Sequence, residues 1–429
     1  MNCPVACLQP VIFDVPKKHF MLRWIIFISF YLLIDLYAFQ AIRTLTKNQW
    51  VHWGYFVVSI GLLALFVYQI AGGLHHRQMT PFRMYVFGFF LTFFIPKLIL
   101  ILFLFGEDLV RTGVGLFSKL AGSDEGFYWP QRRKFLSTLA LGVAAVPFAS
   151  LLYGMYRGKY NYQVLKYALE FEDLPEAFDG YTITQISDIH SGSFDNEKKV
   201  SYGIDLINQQ QSDVILFTGD LVNNRADEMD AWQKHFATLT APDGVFSVLG
   251  NHDYGDYLDW PSEAAKRENL NRLKELQQEM GWKLLLNEHT TLSRNGQSIK
   301  LIGVENWGAG GFKKAGDLDK ACEGVPKEAF KILMSHDPSH WTEKVKQDDR
   351  NVQLTLSGHT HGMQFGIEVP GWFKWSPVKY RYENWAGIYE NVGRYLNVNR
   401  GFGFLGYPGR VGIWPEVTVI QLKKTRNST

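Results

Sequence analysis

The sequence predicts an all-α region of four transmembrane helices followed by an α/β domain, and three observations predict it. Hydropathy concentrates in four segments before residue 155, and the composition turns polar after Tyr153. From Tyr181 onward, short β-prone runs alternate with helical stretches, and the runs end in loops that carry His, Asp or Asn. A chain of 429 residues has room for two or three units. The expected division is a membrane region at 1–155, a juxtamembrane linker at 156–179 and an α/β domain at 180–429.

The four apolar segments cover 22–42, 54–74, 84–105 and 135–153. Each is near the ~20 residues that a helix needs to cross the hydrocarbon core. Trp24, Trp50, Trp53 and Trp129 sit near their ends, where amphipathic rings favour the interface. Nothing amphipathic lies between the segments to cover them, which argues against buried core helices. Asp35, Pro96 and Lys97 fall in or near spans, where ionisable groups are costly. Two isolated charges make no relay. Asp35 is therefore read as an interhelical hydrogen bond, and Pro96 with Lys97 as a kink beside a snorkelling lysine.

Orientation is nearly undetermined by charge counting. One orientation puts Lys17, Lys18, Arg77, Arg83, Arg157, Lys159 and Lys166 inside; the other puts Arg43, Lys47, Arg111, Lys119, Arg132, Arg133 and Lys134 inside. The numbers tie. Density breaks the tie, because Arg132, Arg133 and Lys134 abut the fourth segment, so the C-terminal domain is expected to face outward. The stretch 131–136 with its apolar continuation also resembles a twin-arginine export signal placed internally, although a basic cluster flanking a helix is the commoner explanation.

The net charge of +2 gives no reason to expect a nucleic-acid partner. Cys3, Cys7 and Cys322 suggest no disulfide framework, and Cys322 reads as an ordinary loop or helix-end residue.

In the second half, Thr182–Ser187 runs into Asp188 and His190, and 214–218 into Gly219-Asp220. The run 245–249 ends in Gly250-Asn251-His252-Asp253, 331–334 in Ser335-His336-Asp337, and 352–356 in Ser357-Gly358-His359-Thr360-His361. Helical stretches are expected at 197–211 and 263–280, the latter with Ser262 as N-cap and Gly281 just beyond its end. In an open α/β sheet, ligands gather beyond the carboxyl ends of the strands, so five such ends would converge on one cleft.

The inventory suits one chemistry. Attack on a phosphate ester needs a better nucleophile than water and a counter to phosphoryl charge. Two divalent metals about 3.5–4 Å apart supply both. Such a pair needs a bridging carboxylate plus imidazole, carboxylate and amide donors, a mixture that suits Mn, Fe, Zn or Co rather than Ca. Asp188, His190, Asp220, Asn251, His336, His359 and His361 provide that set. Any one alone would be a commonplace surface or core residue.

The order D-x-H, G-D, G-N-H-D, H and G-H-x-H, over residues 180–422, resembles the calcineurin-like metallophosphoesterase superfamily. Leu286-Asn287-Glu288, 301–305, 358–364, Asn399–Gly403 and Trp414-Pro415-Glu416 are similar to its bacterial membrane-associated branch, whose members often begin with a twin-arginine motif and a hydrophobic anchor. The resemblance implies a two-sheet sandwich flanked by helices, in a bacterial inner-membrane protein that hydrolyses a phosphomonoester, phosphodiester or pyrophosphate. Distant relatives hydrolyse the pyrophosphate of a lipid A precursor, which admits a lipid-linked substrate and by itself would point the domain inward. Carried over by motif, Asp188, His190 and His361 would hold one metal. Asn251, His336 and His359 would hold the second, and Asp220 would bridge. His252 would act on the leaving oxygen as general acid or stabilise charge, with Asp253 behind it. One departure stands out: the family often has a second Asp after Gly-Asp, where this chain has Asn223. Loss of that charge is expected either to weaken His252 as an acid–base group or to leave its orientation to another residue.

Residues 363–395 are crowded with aromatics, among them Phe365, Trp372, Phe373, Trp375, Tyr380, Tyr382, Trp385 and Tyr389, with Lys374, Lys379 and Arg381 interleaved. The stretch reads either as a lid against an amphiphile or the membrane, or as a loop packed on the sheet. Two other functions compete with hydrolysis. A non-catalytic scaffold would usually have lost a ligand or the active-site His. A sensor or transporter would line its spans with more charge.

Overall fold

The computed structural model describes residues 17–71, 78–121, 130–369 and 371–426. Cys3, Cys7, Arg77 and Trp129 lie outside the described residues, as do the side chains of Lys17 and Lys18. The chain divides into two compact units. One holds Met1–Leu63 with Thr92–Phe148, and the other holds Ala64–Leu91 with Ala149–Thr429.

Four long helices precede the sheets: α1 (Lys17–Leu45), α2 (Gln49–Ala71), α3 (Pro81–Leu120) and α4 (Pro130–Tyr156). All four are long and apolar enough to cross a membrane. The third outruns its expected end near 105, because Glu107 and Asp108, which would terminate an apolar span, are paired with Arg133 at 2.6 and 2.7 Å. Arg133 is thus committed to neighbouring carboxylates and is not a free basic flank. Lys97 also differs from expectation. It does not snorkel; it is buried and pairs with Asp35 at 2.6 Å.

The expected linker, 156–179, contains strand β1 (Gln163–Phe171), which pairs in parallel with the last strand along its whole length. Its outer residues alternate with inner ones, as on a half-covered edge, so no continuous apolar run betrays it. Beyond it come β2 (Thr182–Ile186), α5 (Glu197–Asn208), β3 (Val214–Phe217), α6 (Gln233–Phe236), β4 (Val245–Ser247), α7 (Glu263–Glu279) and β5 (Lys283–Leu284). Next are β6 (Glu288–Arg294), β7 (Gln297–Gly303), β8 (Lys331–Met334), β9 (Leu354–Ser357), β10 (Ile367–Val369) and β11 (Phe373–Trp375). The last are β12 (Gly387–Asn391), β13 (Arg394–Val398) and β14 (Glu416–Lys424). Asn196 and Ser262 cap α5 and α7 through their side chains.

The strands make two six-stranded sheets, ordered β1-β14-β2-β3-β4-β5 and β12-β13-β9-β8-β7-β6, with β10-β11 as a separate ribbon. The two-sheet α/β sandwich is therefore present. Alternation along each strand decides which side chain goes where. Ile183, Val214, Leu216 and Phe246 face Leu301, Ile332, Met334, Leu354 and Leu356 in the core between the sheets. Ile186, Ile215, Phe217 and Val245 face the opposite way, against Ile204, Ile207, Leu273 and Leu276 of α5 and α7. Cys322 is buried in a third cluster with Ile302, Leu333, Trp341 and Val398. β2, β3 and β4 run parallel, as do β7, β8 and β9, so each set sends its carboxyl ends to the same side.

Candidate metal centre

The loops at those ends bring all seven sequence-predicted ligands into one buried cluster, with His252 beside it. Two groups have geometry able to hold a cation, Asp188 with His190 and His361, and Asp220 with His336 and His359; within each, the donor atoms lie within 4.8 Å of one another. Asp220 stands between the groups, its Oδ2 3.1 Å from His336 Nε2 and 3.6 Å from His190 Nε2. Asn251 Oδ1 lies 2.8 Å from His359 Nδ1.

The backbone is bent hard to achieve this. Asp188, His190, Asp220, His359 and His361 all have positive φ, a conformation that non-glycine residues rarely adopt and that costs about 1–3 kcal/mol each. Gly358 is required for a different reason, since a Cβ there would collide with Asp188 Oδ2 and Ser187. Asp253 holds the Asp220 loop by accepting from the backbone N–H groups of Gly250, Asp220 and Leu221 at 2.8, 2.9 and 2.8 Å.

Three rings have one nitrogen pinned by a protein acceptor, which leaves the other aimed at the cluster. His336 Nδ1 donates to Thr218 O at 2.7 Å, and His190 Nδ1 donates to Asn223 Oδ1 at 3.1 Å. His359 Nε2 lies 2.8 Å from Tyr382 Oη and 3.3 Å from Asp337 Oδ2. His361 Nε2 is 3.1 Å from Asp188 Oδ1, while its Nδ1 faces Arg410, whose buried guanidinium is otherwise held by the carbonyls of Arg400, Gly401 and Gly403.

This arrangement fits cations. With its Nδ1 donating, a neutral His336 directs the lone pair of buried Nε2 toward a carboxylate oxygen, and that nitrogen makes no hydrogen bond. Such a contact needs positive charge between its members. Against the burial that would raise them, His361 beside Asp188 and His336 beside Asp220 hold both carboxyls well below the usual carboxylate range. Burial alone would depress His336, but the charge of Asp220 outweighs it and pushes the ring up to about 10. A protonated His336 is one answer to the surplus of negative charge, and a divalent cation is another.

The structure revises the role expected of Asn223. Its side chain orients His190, while His252 Nδ1 is held at 2.7 Å by the Asn223 backbone carbonyl. A side-chain charge at 223 is therefore not what orients His252. Thr218, Asp337, Tyr382 and Arg410 also serve the site without having been singled out for it. Only the adjacency of Asp337 to His336, and of the aromatic run to His361, offered a signal. The motif stretches shared with the membrane-associated branch form braces: Asn287 bonds Glu305, which accepts from Tyr254, and Arg400 pairs with Glu416.

A family model for the calcineurin-like phosphoesterases matches residues 181–363. A second, described as "Probable Calcineurin-like phosphoesterase, transmembrane domain", matches residues 22–159. The chain is similar to the uncharacterized metallophosphoesterase YkuE of Bacillus subtilis, at 29% identity over 68% of this chain and 98% of that protein. It is 28% identical to a transmembrane protein with metallophosphoesterase domain from Danio rerio, over 76% of this chain and 71% of that one. An uncharacterized metallophosphoesterase from Aquifex aeolicus is 28% identical over 65% of this chain and 100% of its own length.

Proposed function

We propose that this chain, which carries a calcineurin-like phosphoesterase domain behind a phosphoesterase transmembrane domain, is a membrane-anchored hydrolase of phosphate esters that works with two divalent metals. The observation that carries it is the convergence of seven nitrogen and oxygen donors at five strand ends, six of them in two groups, with Asp220 of one group 3.6 Å from His190 of the other and Asn251 beside His359. In this assignment Asp188, His190 and His361 would hold one metal, Asn251, His336 and His359 would hold the other, and Asp220 would serve both. Mn, Fe, Zn or Co suits the donor mixture. Residues 1–155 anchor, 180–429 catalyse, and 156–179 joins them through β1. The substrate is a phosphomonoester, phosphodiester or pyrophosphate, with lipid-linked esters included.

When bound, the metal pair supplies a water of lowered pKa and positive charge against the phosphoryl oxygens. The chain's own residues do the rest. Thr218 and Asn223 fix the rings of His336 and His190, so that no rotation precedes binding. His252 is half-buried, with Nδ1 donating to a carbonyl, which leaves Nε2 as the ring nitrogen that would exchange a proton with the leaving oxygen. Asp253 keeps the Asp220 turn closed.

The protein is proposed to reside in a bacterial inner membrane with this domain facing outward, on the basic cluster 132–134 beside α4, a cluster weakened as an orientation signal by the pairing of Arg133 with Glu107 and Asp108. Fusing alkaline phosphatase, and separately a fluorescent protein that does not mature after export, to the C-terminus tests this. A fluorescent, phosphatase-inactive pair puts the domain inside.

The chemistry is tested by purifying the full chain with Mn and screening mono-, di- and pyrophosphate esters, lipid-linked ones among them. Two metal equivalents and hydrolysis of at least one class are expected. Asp220→Asn should lose both metals together, and full occupancy of that variant by elemental analysis would remove the bridging assignment.

A further inference from the structure

We infer that the β10–β11 ribbon is a membrane-contacting finger, its apolar face seated in the lipid surface beside the exit of α4. The ribbon is amphipathic in the wrong sense for water. Residues directly opposed across an antiparallel pair share a face. The register pairs Ile367 with Trp375, Val369 with Phe373, and Glu368 with Lys374, so one face is entirely apolar and the other charged. Both charged side chains bond to the protein body, Glu368 half-buried and Lys374 still exposed, and of the apolar face only Trp375 is half-buried. Arg400 donates to Glu368 at 2.6 and 3.1 Å, and Lys374 donates to Ala386 O at 2.5 Å and sits over the Tyr389 ring.

The apolar face is left outside. Ile367 is 58% exposed, Phe373 49% and Trp372, in the connection, 85%. A ribbon bordering water would put these residues inward and the charges out. Apolar side chains gathered on one exposed face mark an interaction surface, and an outward Trp suits the interfacial layer of a bilayer.

The occupant follows from the root of the ribbon. Gly366 N donates to Val411 O, and Phe365 bridges to Val411. The segment around Val411 rests on the last turns of α4. Arg410 N donates to Gly154 O, Tyr407 Oη donates to Leu151 O at 2.5 Å, and Trp414 meets the edge of Tyr153. α4 is one of the apolar helices, and its span ends at Tyr156. The root of the ribbon is therefore joined, through the segment around Val411, to the end of that span, which is where a lipid surface would meet this domain. This inference is independent of the metal centre.

The test is depth measurement by spin labelling of the full chain in phosphatidylcholine–phosphatidylglycerol nanodiscs. The background is Cys3→Ser, Cys7→Ser and Cys322→Ala, and a nitroxide is attached at Trp372→Cys. Val392→Cys, at a position 92% exposed in the β12–β13 turn, serves as the water reference. The ratio of oxygen to nickel-chelate collisions at 372 should exceed that at 392 several-fold. A ratio equal to that at 392 overturns the inference, because the finger then lies in water. Shielding from both reagents also overturns it, because protein then covers the face. Phe373→Cys repeats the measurement if Trp372→Cys fails to fold. Neither readout requires hydrolysis, so failure here and failure of the proposed chemistry are distinguishable.

Discussion

Two regions of this chain bury charge, and they do so in opposite ways. In the helical unit, Asp35 accepts from Lys97 at 2.6 Å, Ser59 at 2.7 Å and Tyr55 at 2.7 Å, and Lys97 also donates to Tyr31 and Ser59. Each charge is answered within the protein. At the strand ends, Asp188 and Asp220 sit among four imidazoles, and His336 Nε2 is left without a hydrogen bond. The first cluster is complete as it stands, while the second is complete only with added positive charge. Buried polarity by itself therefore does not mark a candidate site; carboxylate and imidazole donors converging on one space do.

Removing metal should separate the two regions most sharply. Dialysis against a chelator is expected to abolish the proposed hydrolysis and to lower the thermal midpoint of the α/β domain. A site held at a thousandfold its Kd contributes about 4 kcal/mol. The transition of the helical unit should not move, and added Mn should restore the other. Calorimetry on the full chain in detergent reads both. Equal shifts in the two transitions would break the contrast.

The complementary perturbation is Lys97→Met, which leaves the Asp35 carboxylate buried without its partner. Losing one member of a buried pair destabilises by about 3–5 kcal/mol, here in the helical unit alone. Metal content should stay at the wild-type value. The double variant Lys97→Met, Asp35→Leu should recover most of the loss, since no charge remains to be answered. A double variant as unstable as the single one would mean that the pair does more than satisfy itself.

His252→Asn probes the edge of the second region. His252 touches the cluster through its backbone, donating to Asp220 Oδ1 at 2.8 Å, but its ring belongs to neither candidate metal group. Turnover should fall ~10²-fold with both metals retained, in the range for a general acid–base group. Metal lost in step with activity would make the ring a ligand.

How much of this was legible depends on what each residue does. β2, β3, β4, β8 and β9 are buried on both faces and read as short β-prone runs, fully apolar in β3 and broken in β2 and β9 by buried Thr184, Gln185 and Thr355, and the ligand loops were visible as the His, Asp and Asn residues that follow them. β1, β6 and β12 lie at sheet edges and mix polar residues among apolar ones, and left no such run. The ring-pinning groups were illegible for another reason. Thr218 acts through a carbonyl, which has no sequence identity, and Tyr382 and Arg410 reach the cluster from 20 to 50 residues beyond the nearest ligand. Asp35 and Lys97 were each seen, but nothing in the sequence said that they meet.

The smallest expected effect is at Asn223, and it decides between two accounts of this chain's departure from the pattern of the family it resembles. If a charge at 223 served the ring of His252, restoring it with Asn223→Asp would change how the rate depends on the leaving group. The contacts argue otherwise, because His252 Nδ1 bonds the backbone carbonyl of residue 223, which the substitution does not alter. The side chain instead accepts from His190 Nδ1 and contacts Ser193. A carboxylate there would accept that proton more strongly and make His190 a better donor to a cation, an effect of up to ~10-fold in affinity for an outer partner of a ligand. One neighbour opposes it. Glu228 accepts from the backbone N–H of Asn223 at 2.5 Å, and its carboxyl, already raised to about 7 by burial, would gain a like charge nearby. The net expectation is activity equal to or modestly above wild type, carried by tighter metal binding in a chelator competition. The dependence of kcat on leaving-group pKa should be unchanged across a series of aryl phosphates. A changed slope in that series would return the role of residue 223 to His252.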